Sequence, residues 1–397
     1  MTKQRILFVD DEKLILKALD AAMKPMREEW DVHFANSGQA AVLQMATMPF
    51  DVIVTDMRMP GMNGAELLKE VCKCSPRSIR ILLSGYADDC QIMDVIGSAH
   101  QFIMKPFNLD ALLNMLTRLG RLNEWMTNDT PRCLVTGMSH LPTPPKIYMR
   151  IMDVLQSPDS AIHDIADIIS TDPALTAKLL QLVNSAFFGI PRPISTVHET
   201  VQVLGMETIR SLVLASHVFS AFERVRFEEL PVEKIWAHSI QTGRLAAKIA
   251  RRQTHDPTVL SQSFTAGCLH DIGKLIFAAN LPTQYRDVLQ SASMDGRRLI
   301  QIERQSLGAN HAETGAYLLG IWGLPAPLVE AVVWHHEPSR SNTAFVSPLT
   351  AVHIADALVH VTSGDCQGED ACRIDTDYLG KLGLPIQLDA WLARLAE

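Results

Sequence analysis

The chain has 397 residues, 47% of them hydrophobic and 20% charged, enough for two or three domains that each bury a core. Its 44 acids against 36 bases leave a formal net charge of −8, which excludes the broad basic surface that general nucleic-acid binding needs. No apolar run nears the ~20 residues of a membrane span. The seven cysteines form no Cys-x-x-Cys pair, which excludes a disulfide framework and a thiolate zinc knuckle.

From the N-terminus, Met1 leads within a few residues into a strand pattern, with no signal-peptide region, so a soluble cytoplasmic protein is expected. Residues 1–122 alternate short apolar runs with amphipathic stretches of roughly 10–15 residues. The runs are Ile6-Leu7-Phe8-Val9, Val32-His33-Phe34-Ala35, Val52-Ile53-Val54, Ile79-Arg80-Ile81-Leu82-Leu83 and Phe102-Ile103-Met104. Five strand–helix alternations predict a doubly wound α/β domain with five parallel strands. The last helix is expected to start at Asn108, a good N-cap, with Leu109, Leu112, Leu113 and Leu116 on one face.

Residues 123–140 break the pattern and read as a linker; Pro142, Pro144 and Pro145 just beyond cannot lie inside a helix. From there the chain reads as all-α, a helical domain over 141–340 with a C-terminal helical extension over 341–397. Leu175, Leu179, Leu182 and Val183 make one buried stripe, and Ile209, Leu212, Val213 and Phe219 another. A short amphipathic helix is expected around Leu388–Leu395. The basic stripe of Arg244, Lys248, Arg251 and Arg252 reads as a solvated face, without the motif or stacking aromatics of a nucleic-acid binder.

In an open parallel sheet, chemistry gathers at the carboxyl ends of the strands. Asp10 and Asp11 follow the first strand, Asp56 the third, Ser84 the fourth and Lys105 the fifth. Three carboxylates at one edge repel each other unless a hard cation such as Mg²⁺ sits among them. Asp56 is then left as a nucleophile toward a phosphoryl group, with Ser84 and Lys105 reaching the phosphate oxygens.

The motifs Phe8-Val9-Asp10-Asp11-Glu12, Asp56-Met57-Arg58-Met59-Pro60-Gly61-Met62-Asn63-Gly64, Leu82-Leu83-Ser84-Gly85 and Lys105-Pro106-Phe107 make residues 1–120 resemble a response-regulator receiver domain. The resemblance implies that Asp56 is the phosphoacceptor, served by a cognate histidine kinase. Asp10, Asp11, Asp56 and the Arg58 backbone carbonyl would bind Mg²⁺. Ser84 stands at the hydroxyl switch position, Phe102 at the aromatic switch position, and Lys105 pairs with the phosphate. A cis Lys105–Pro106 bond and homodimerisation through the receiver are further expectations.

The second half contains Gly267-Cys268-Leu269-His270-Asp271-Ile272-Gly273-Lys274, a His-Asp dyad in an apolar stretch. Such groups are costly to bury unless paired or metal-bound. Other histidines accompany it: His238, His311, His335 and His336, with Asp356 flanked at helical spacing by His353 and His360. Imidazole and carboxylate ligands suit Fe, Mn, Zn or Ni. The bland alternative is a hydrogen-bonded network holding the helices together.

Residues 139–337 resemble the HDOD family, a relative of the HD phosphohydrolases. The passages are Leu141-Pro142-Thr143-Pro144-Pro145, Ser170-Thr171-Asp172-Pro173-Ala174-Leu175-Thr176, Val183-Asn184-Ser185-Ala186-Phe187-Phe188-Gly189, Val203-Leu204-Gly205-Met206, Trp236-Ala237-His238-Ser239, Ile321-Trp322-Gly323-Leu324-Pro325 and Trp334-His335-His336-Glu337-Pro338. The resemblance implies that His238, His270, Asp271 and Asp356 match the core HD metal ligands. His311, His335 and His336 match further ligands of the cyclic di-GMP phosphodiesterase branch, and Lys274 its substrate-contacting lysine. That branch's Gly-Tyr-Pro loop is replaced by Glu337-Pro338-Ser339-Arg340-Ser341-Asn342, and a ligand carboxylate position by Lys234. The expectation is a response regulator whose non-catalytic HDOD output binds a partner protein; a metal-dependent phosphodiesterase is the alternative.

Overall fold

In this computed structural model, the described residues are 3–84, 99–105, scattered positions from 109 to 120, 130–137, 150, 151, 154, 162–171, scattered positions from 175 to 183, 194–222, 230–295, 298–363, 374–385, 390 and 391. The chain divides into two compact units, residues 1–143 with 317–324, and 144–316 with 325–397.

The first unit runs β1 (Gln4–Val9), α1 (Lys13–Met23), β2 (Trp30–Ala35), α2 (Gly38–Thr47), β3 (Val52–Asp56), α3 (Gly64–Cys74), β4 (Ile79–Ser84) and β5 (Gln101–Met104). The strands form one parallel sheet in the order β2-β1-β3-β4-β5. β3 and β4 are buried at every residue, which their unbroken apolar runs require, because helices cover both faces of a parallel sheet. Edge strand β2 is buried only at its ends, Trp30 and Ala35. Asn63 and Glu66 form a reciprocal capping box that starts α3 just past the Asp56 loop. In the helical segment after β5, Leu112 and Leu116 of the predicted stripe are buried, Leu109 and Leu113 are half-buried, and Met115 and Leu119, which the spacing did not single out, are buried beside them.

Part of the segment read as a linker is the helix α4 (Thr130–Gly137). It is fastened to the amino end of the sheet, the end opposite Asp56. Arg132 pairs with Asp51 at 2.8 Å and donates to the Arg77 carbonyl at 3.1 Å; buried Arg80 donates to the Thr136 carbonyl at 3.2 Å.

The described elements of the helical region are α5 (Ile162–Ser170), α6 (Val197–Leu204), α7 (Met206–Ala221), α8 (Val232–Gln253), α9 (Pro257–Leu269), α10 (Ile272–Asn280), α11 (Pro282–Asp295), α12 (Leu299–Leu307), α13 (His311–Ile321), α14 (Ala326–Trp334), α15 (Pro348–Ser363) and α16 (Thr376–Lys381). Leu179, Val183, Ile209, Leu212 and Val213 are buried as their spacing predicts; the side chains of Leu182 and Phe219 lie outside the described residues. Of the helix expected around Leu388–Leu395, positions 390 and 391 are described, both helical.

α8 packs along α9 and α15. The α8–α9 crossing is a backbone contact: a Cβ on Gly267 would stand 2.6 Å from the Gly243 Cα. Only glycine permits that approach, and it draws His238 on α8 toward His270 at the end of α9. No described helix is long and apolar enough to cross a membrane. Among the described residues Cys72, Cys74, Cys133 and Cys268 are free thiols.

Candidate functional sites

The strand order puts β1 and β3 on either side of the topological switch point, and their carboxyl ends carry Asp10 and Asp56. Asp10 is buried, and one of its oxygens accepts from the Glu12 amide at 2.9 Å. Asp56 closes β3 at 8% exposure and accepts from the Arg58 amide at 3.2 Å. The Lys105 ammonium bridges both carboxylates, 2.5 Å from Asp56 Oδ1 and 3.1 Å from Asp10 Oδ2. Burial raises the Asp56 carboxyl above its ordinary range, against the pull of Lys105. Burial also works against the Lys105 charge, but Asp56 and Asp10 outweigh it and raise the ammonium.

Ser84 is buried at the end of β4, one residue past the Leu83 that pairs with Asp56, and its carbonyl accepts from the Lys105 amide at 2.6 Å. Asp11 is exposed. Asp10 and Asp56 thus meet at one sheet edge, Asp11 and Arg58 follow them within two residues, and this set of hard oxygen donors fits Mg²⁺. Phe102 lies in β5; its side chain and the Lys105–Pro106 bond lie outside the described residues.

In the helical domain, five stretches of chain deliver one cluster. His238 comes from α8, His270 and Asp271 from the break between α9 and α10, and His311 from the start of α13. His335 and His336 follow α14, and Asp356 stands on α15. His238 Nε2 is 3.0 Å from Asp356 Oδ1 and 3.2 Å from His270 Nε2. His270 Nε2 is 3.3 Å from the same Asp356 oxygen. On the other side, His311 Nε2 is 3.1 Å from His336 Nε2 and 3.4 Å from Asp271 Oδ1. With metal–ligand bonds of about 2.1 Å, neighbouring donors of an octahedron or tetrahedron stand about 3.0–3.4 Å apart.

Two further observations favour a metal. First, the outward nitrogens are claimed by acceptors that aim the rings inward. His270 Nδ1 is 2.8 Å from the Gly267 carbonyl, and His335 Nδ1 is 2.7 Å from the Val332 carbonyl. His311 Nδ1 is 2.7 Å from Glu303 Oε2. Second, Asp271 Oδ1 and His335 Nε2 are buried without a hydrogen-bond partner. The donor set of imidazoles and carboxylates fits a divalent transition metal.

The charge states agree. Burial opposes the charge on Asp271, but Lys274, His270 and His311 override it and hold the carboxyl well below the usual range. Asp356 is held low against the same opposition by hydrogen bonds from His238 and His270. Burial drives His335 and His336 well below the ordinary imidazole range, so both are neutral. Ionised carboxylates and neutral imidazoles are the forms that bind metal. His270 departs from this pattern: burial alone would lower it, but Asp271 and Asp356 raise it, so the ring gives up a proton when it ligates a metal.

Lys274 reaches Asp271 Oδ2 at 2.6 Å, a built-in counter-ion to the cluster. Lys234 is exposed on the first turn of α8, so its charge is not set against the cluster. His353 is a structural histidine: Nδ1 is 2.7 Å from the His335 carbonyl, and Nε2 accepts from the Asp375 amide at 2.9 Å. The residue that sequence reasoning missed is Glu303, fully buried on α12. It accepts from the His311 amide at 2.9 Å, from His311 Nδ1 and from the Tyr285 hydroxyl at 3.1 Å. Its only sequence signal is an acid among the buried Ile300 and Ile302.

Comparison with known proteins finds a family for each part of the chain. The response regulator receiver domain family matches residues 6–117, and the HDOD domain family matches residues 141–338. An uncharacterized protein of Treponema pallidum is 25% identical over 236 residues, 59% of this chain and 45% of that protein. The hydrogenase transcriptional regulatory protein HoxA of Cupriavidus necator is 37% identical over 111 residues, 28% of this chain and 22% of that protein. The chain thus spans less than half the length of these curated relatives. The crystal structure of an HDOD domain protein of unknown function from Geobacter sulfurreducens shares the fold, with a TM-score of 0.55 and 24% identity over 71% of this chain and 94% of that one. The chain thus joins an N-terminal response regulator receiver domain to an HDOD domain.

Proposed function

We propose that a cognate histidine kinase phosphorylates Asp56 and that this modification controls the binding of a partner protein by the HDOD domain, whose His/Asp cluster holds a divalent transition metal. The observation that carries the first part is the buried Asp56 carboxylate bridged by Lys105 to Asp10. An Asp56 oxygen attacks phosphorus as the bond to the donor breaks, and an acyl phosphate forms. Mg²⁺ held by Asp10, Asp11, Asp56 and the Arg58 carbonyl would neutralise charge on the transferring group. Lys105 then turns from the two carboxylates to the new phosphate oxygens, and the Ser84 hydroxyl donates to another. Charge-assisted bonds contribute ~1.5–3 kcal/mol each. Two of them supply much of the ~5.5 kcal/mol that moves an equilibrium from 1:99 to 99:1.

The test is incubation of the full chain with Mg²⁺ and acetyl phosphate, followed by intact mass spectrometry. One added phosphoryl group is expected on the wild type and none on Asp56→Asn; an adduct that persists in the variant refutes the assignment. A pull-down with and without beryllofluoride then tests the control of partner binding.

The buried donor cluster favours a second reading, metal-dependent hydrolysis of a phosphodiester. Turnover of cyclic di-GMP or bis-p-nitrophenyl phosphate that is lost in Asp271→Ala supports that reading over a non-catalytic output.

A further inference from the structure

α15 carries a second imidazole beside the cluster. His360 lies one turn beyond Asp356 on the same face of the helix. Its Nε2 stands 3.5 Å from Asp356 Oδ1, and its ring centroid is 4.6 Å from that of His238. His360 Nδ1 is buried and has no hydrogen-bond partner. The contrast with His353 is informative, because that ring occupies both nitrogens in hydrogen bonds to the backbone. His360 is withdrawn from solvent, with 24% of its side chain exposed, and its Nδ1 goes unanswered by any hydrogen-bonding group. Leaving a buried nitrogen unsatisfied is unfavourable. A ligand that accepts an imidazole lone pair removes the penalty.

The donors nearby identify that ligand. His238, Asp356 and His360 can each offer one atom with all three within 4.8 Å of one another, and Asp271, His311, His335 and His336 can do the same. These two groups share no residue; His270 stands between them, able to gather with His238 and Asp271 or with His335 and Asp356. Each combines imidazoles with a single carboxylate, a set that selects borderline transition ions over Mg²⁺ or Ca²⁺.

We propose that His360 is a metal ligand, completing with His238 and Asp356 a second cation site beside the one formed by Asp271, His311, His335 and His336. This rests on the reading that the helical domain holds metal. The chain then binds two ions, with one ionised carboxylate serving each. Asp271 belongs to one site and Asp356 to the other, with His270 within 3.6 Å of the first and 3.3 Å of the second.

The test uses the full chain purified without a histidine tag, stripped with chelator and refilled with Co²⁺. Stoichiometry is read by elemental analysis, affinity by equilibrium dialysis, and coordination by the visible absorption of Co²⁺. The wild type is expected to hold two ions. His360→Gln should hold one, with affinity for the other at least tenfold weaker, and His360→Asp, which restores a donor, should recover the second. His336→Ala should weaken the ion that His360→Gln retains. Melting of each stripped variant separates lost binding from lost folding. Two ions bound at wild-type affinity in His360→Gln, or loss of both in that variant, overturns the assignment of His360. A wild type that holds no Co²⁺ overturns the metal reading itself, and the His360 site with it.

Discussion

Replacing Glu303 separates metal positioning from simple packing. Its Oε2 receives both the amide and the Nδ1 hydrogen of His311, while Oε1 receives the Tyr285 hydroxyl. In Glu303→Gln the amide oxygen can stay toward His311 and the NH₂ group toward Tyr285, whose hydroxyl can turn to accept. Shape is kept and the negative charge is lost. A bond to a charged acceptor is stronger than a neutral one by about 1–1.5 kcal/mol, and His311 makes two, so destabilisation of about 1–3 kcal/mol is expected. Loss of such an outer partner typically weakens metal binding 10–100-fold. Glu303→Ala takes the acceptor from both buried His311 donors and should lose more than about 3 kcal/mol. Urea unfolding in chelator gives the stability change, and equilibrium dialysis with Co²⁺ gives the affinity. If Glu303→Gln lowers stability while every ion binds with wild-type affinity, Glu303 only packs the core and the argument for an aimed His311 fails.

Two further outcomes are expected. A Cβ on Gly273 would overlap the His311 carbonyl oxygen, so Gly273→Ala should cost about 1–3 kcal/mol in urea unfolding and displace His311. Gly380→Ala, which meets nothing within 4 Å in α16, should be neutral or stabilising by up to about 1 kcal/mol; equal losses in the two variants would refute the close-approach argument. In metal-stripped protein, burial depresses His335, His336, His353 and His360, so the unfolded chain takes up protons near pH 6.5 that the folded chain refuses. Their stabilisation is complete above that pH and falls below it, by about 1.4 kcal/mol per pH unit for each imidazole kept neutral. His270 acts in the opposite sense, its stabilisation being complete below pH 6.5 and lost as pH rises through its raised folded value. Burial, with Arg80 beside it, also holds His100 well below the ordinary range, so five against one predicts urea midpoints that drop between pH 7 and 5; a flat profile refutes neutral burial.

The receiver pocket was legible because its chemistry sits at sheet-edge positions that follow from the apolar runs. Once β1, β3 and β4 are located, Asp10, Asp56 and Ser84 fall at their ends, and Lys105 follows β5. The helical cluster was legible as a set of residue types, but its division was not. Helical spacing alone puts His353 and His360 equally beside Asp356, and only the packing shows that backbone groups claim both nitrogens of His353. Glu303 escaped notice because its partner, His311, lies beyond the end of α12, where helical periodicity carries no information about contacts. Residues 130–137 were illegible as a fixed element for a similar reason: polar, proline-marked sequence hides a helix whose anchors, Asp51 and Arg80, lie some fifty or more residues away.

That helix bears on how the chain can be dissected. Arg80 is 3% exposed and donates to the backbone carbonyls of Pro76, Ser78 and Thr136. Severing the polypeptide at residue 122 would remove the Thr136 acceptor from this buried guanidinium and the Arg132–Asp51 pair with it. An isolated phosphorylatable fragment should therefore be taken to residue 137, and swaps of effector modules between relatives are best spliced after that turn rather than before it.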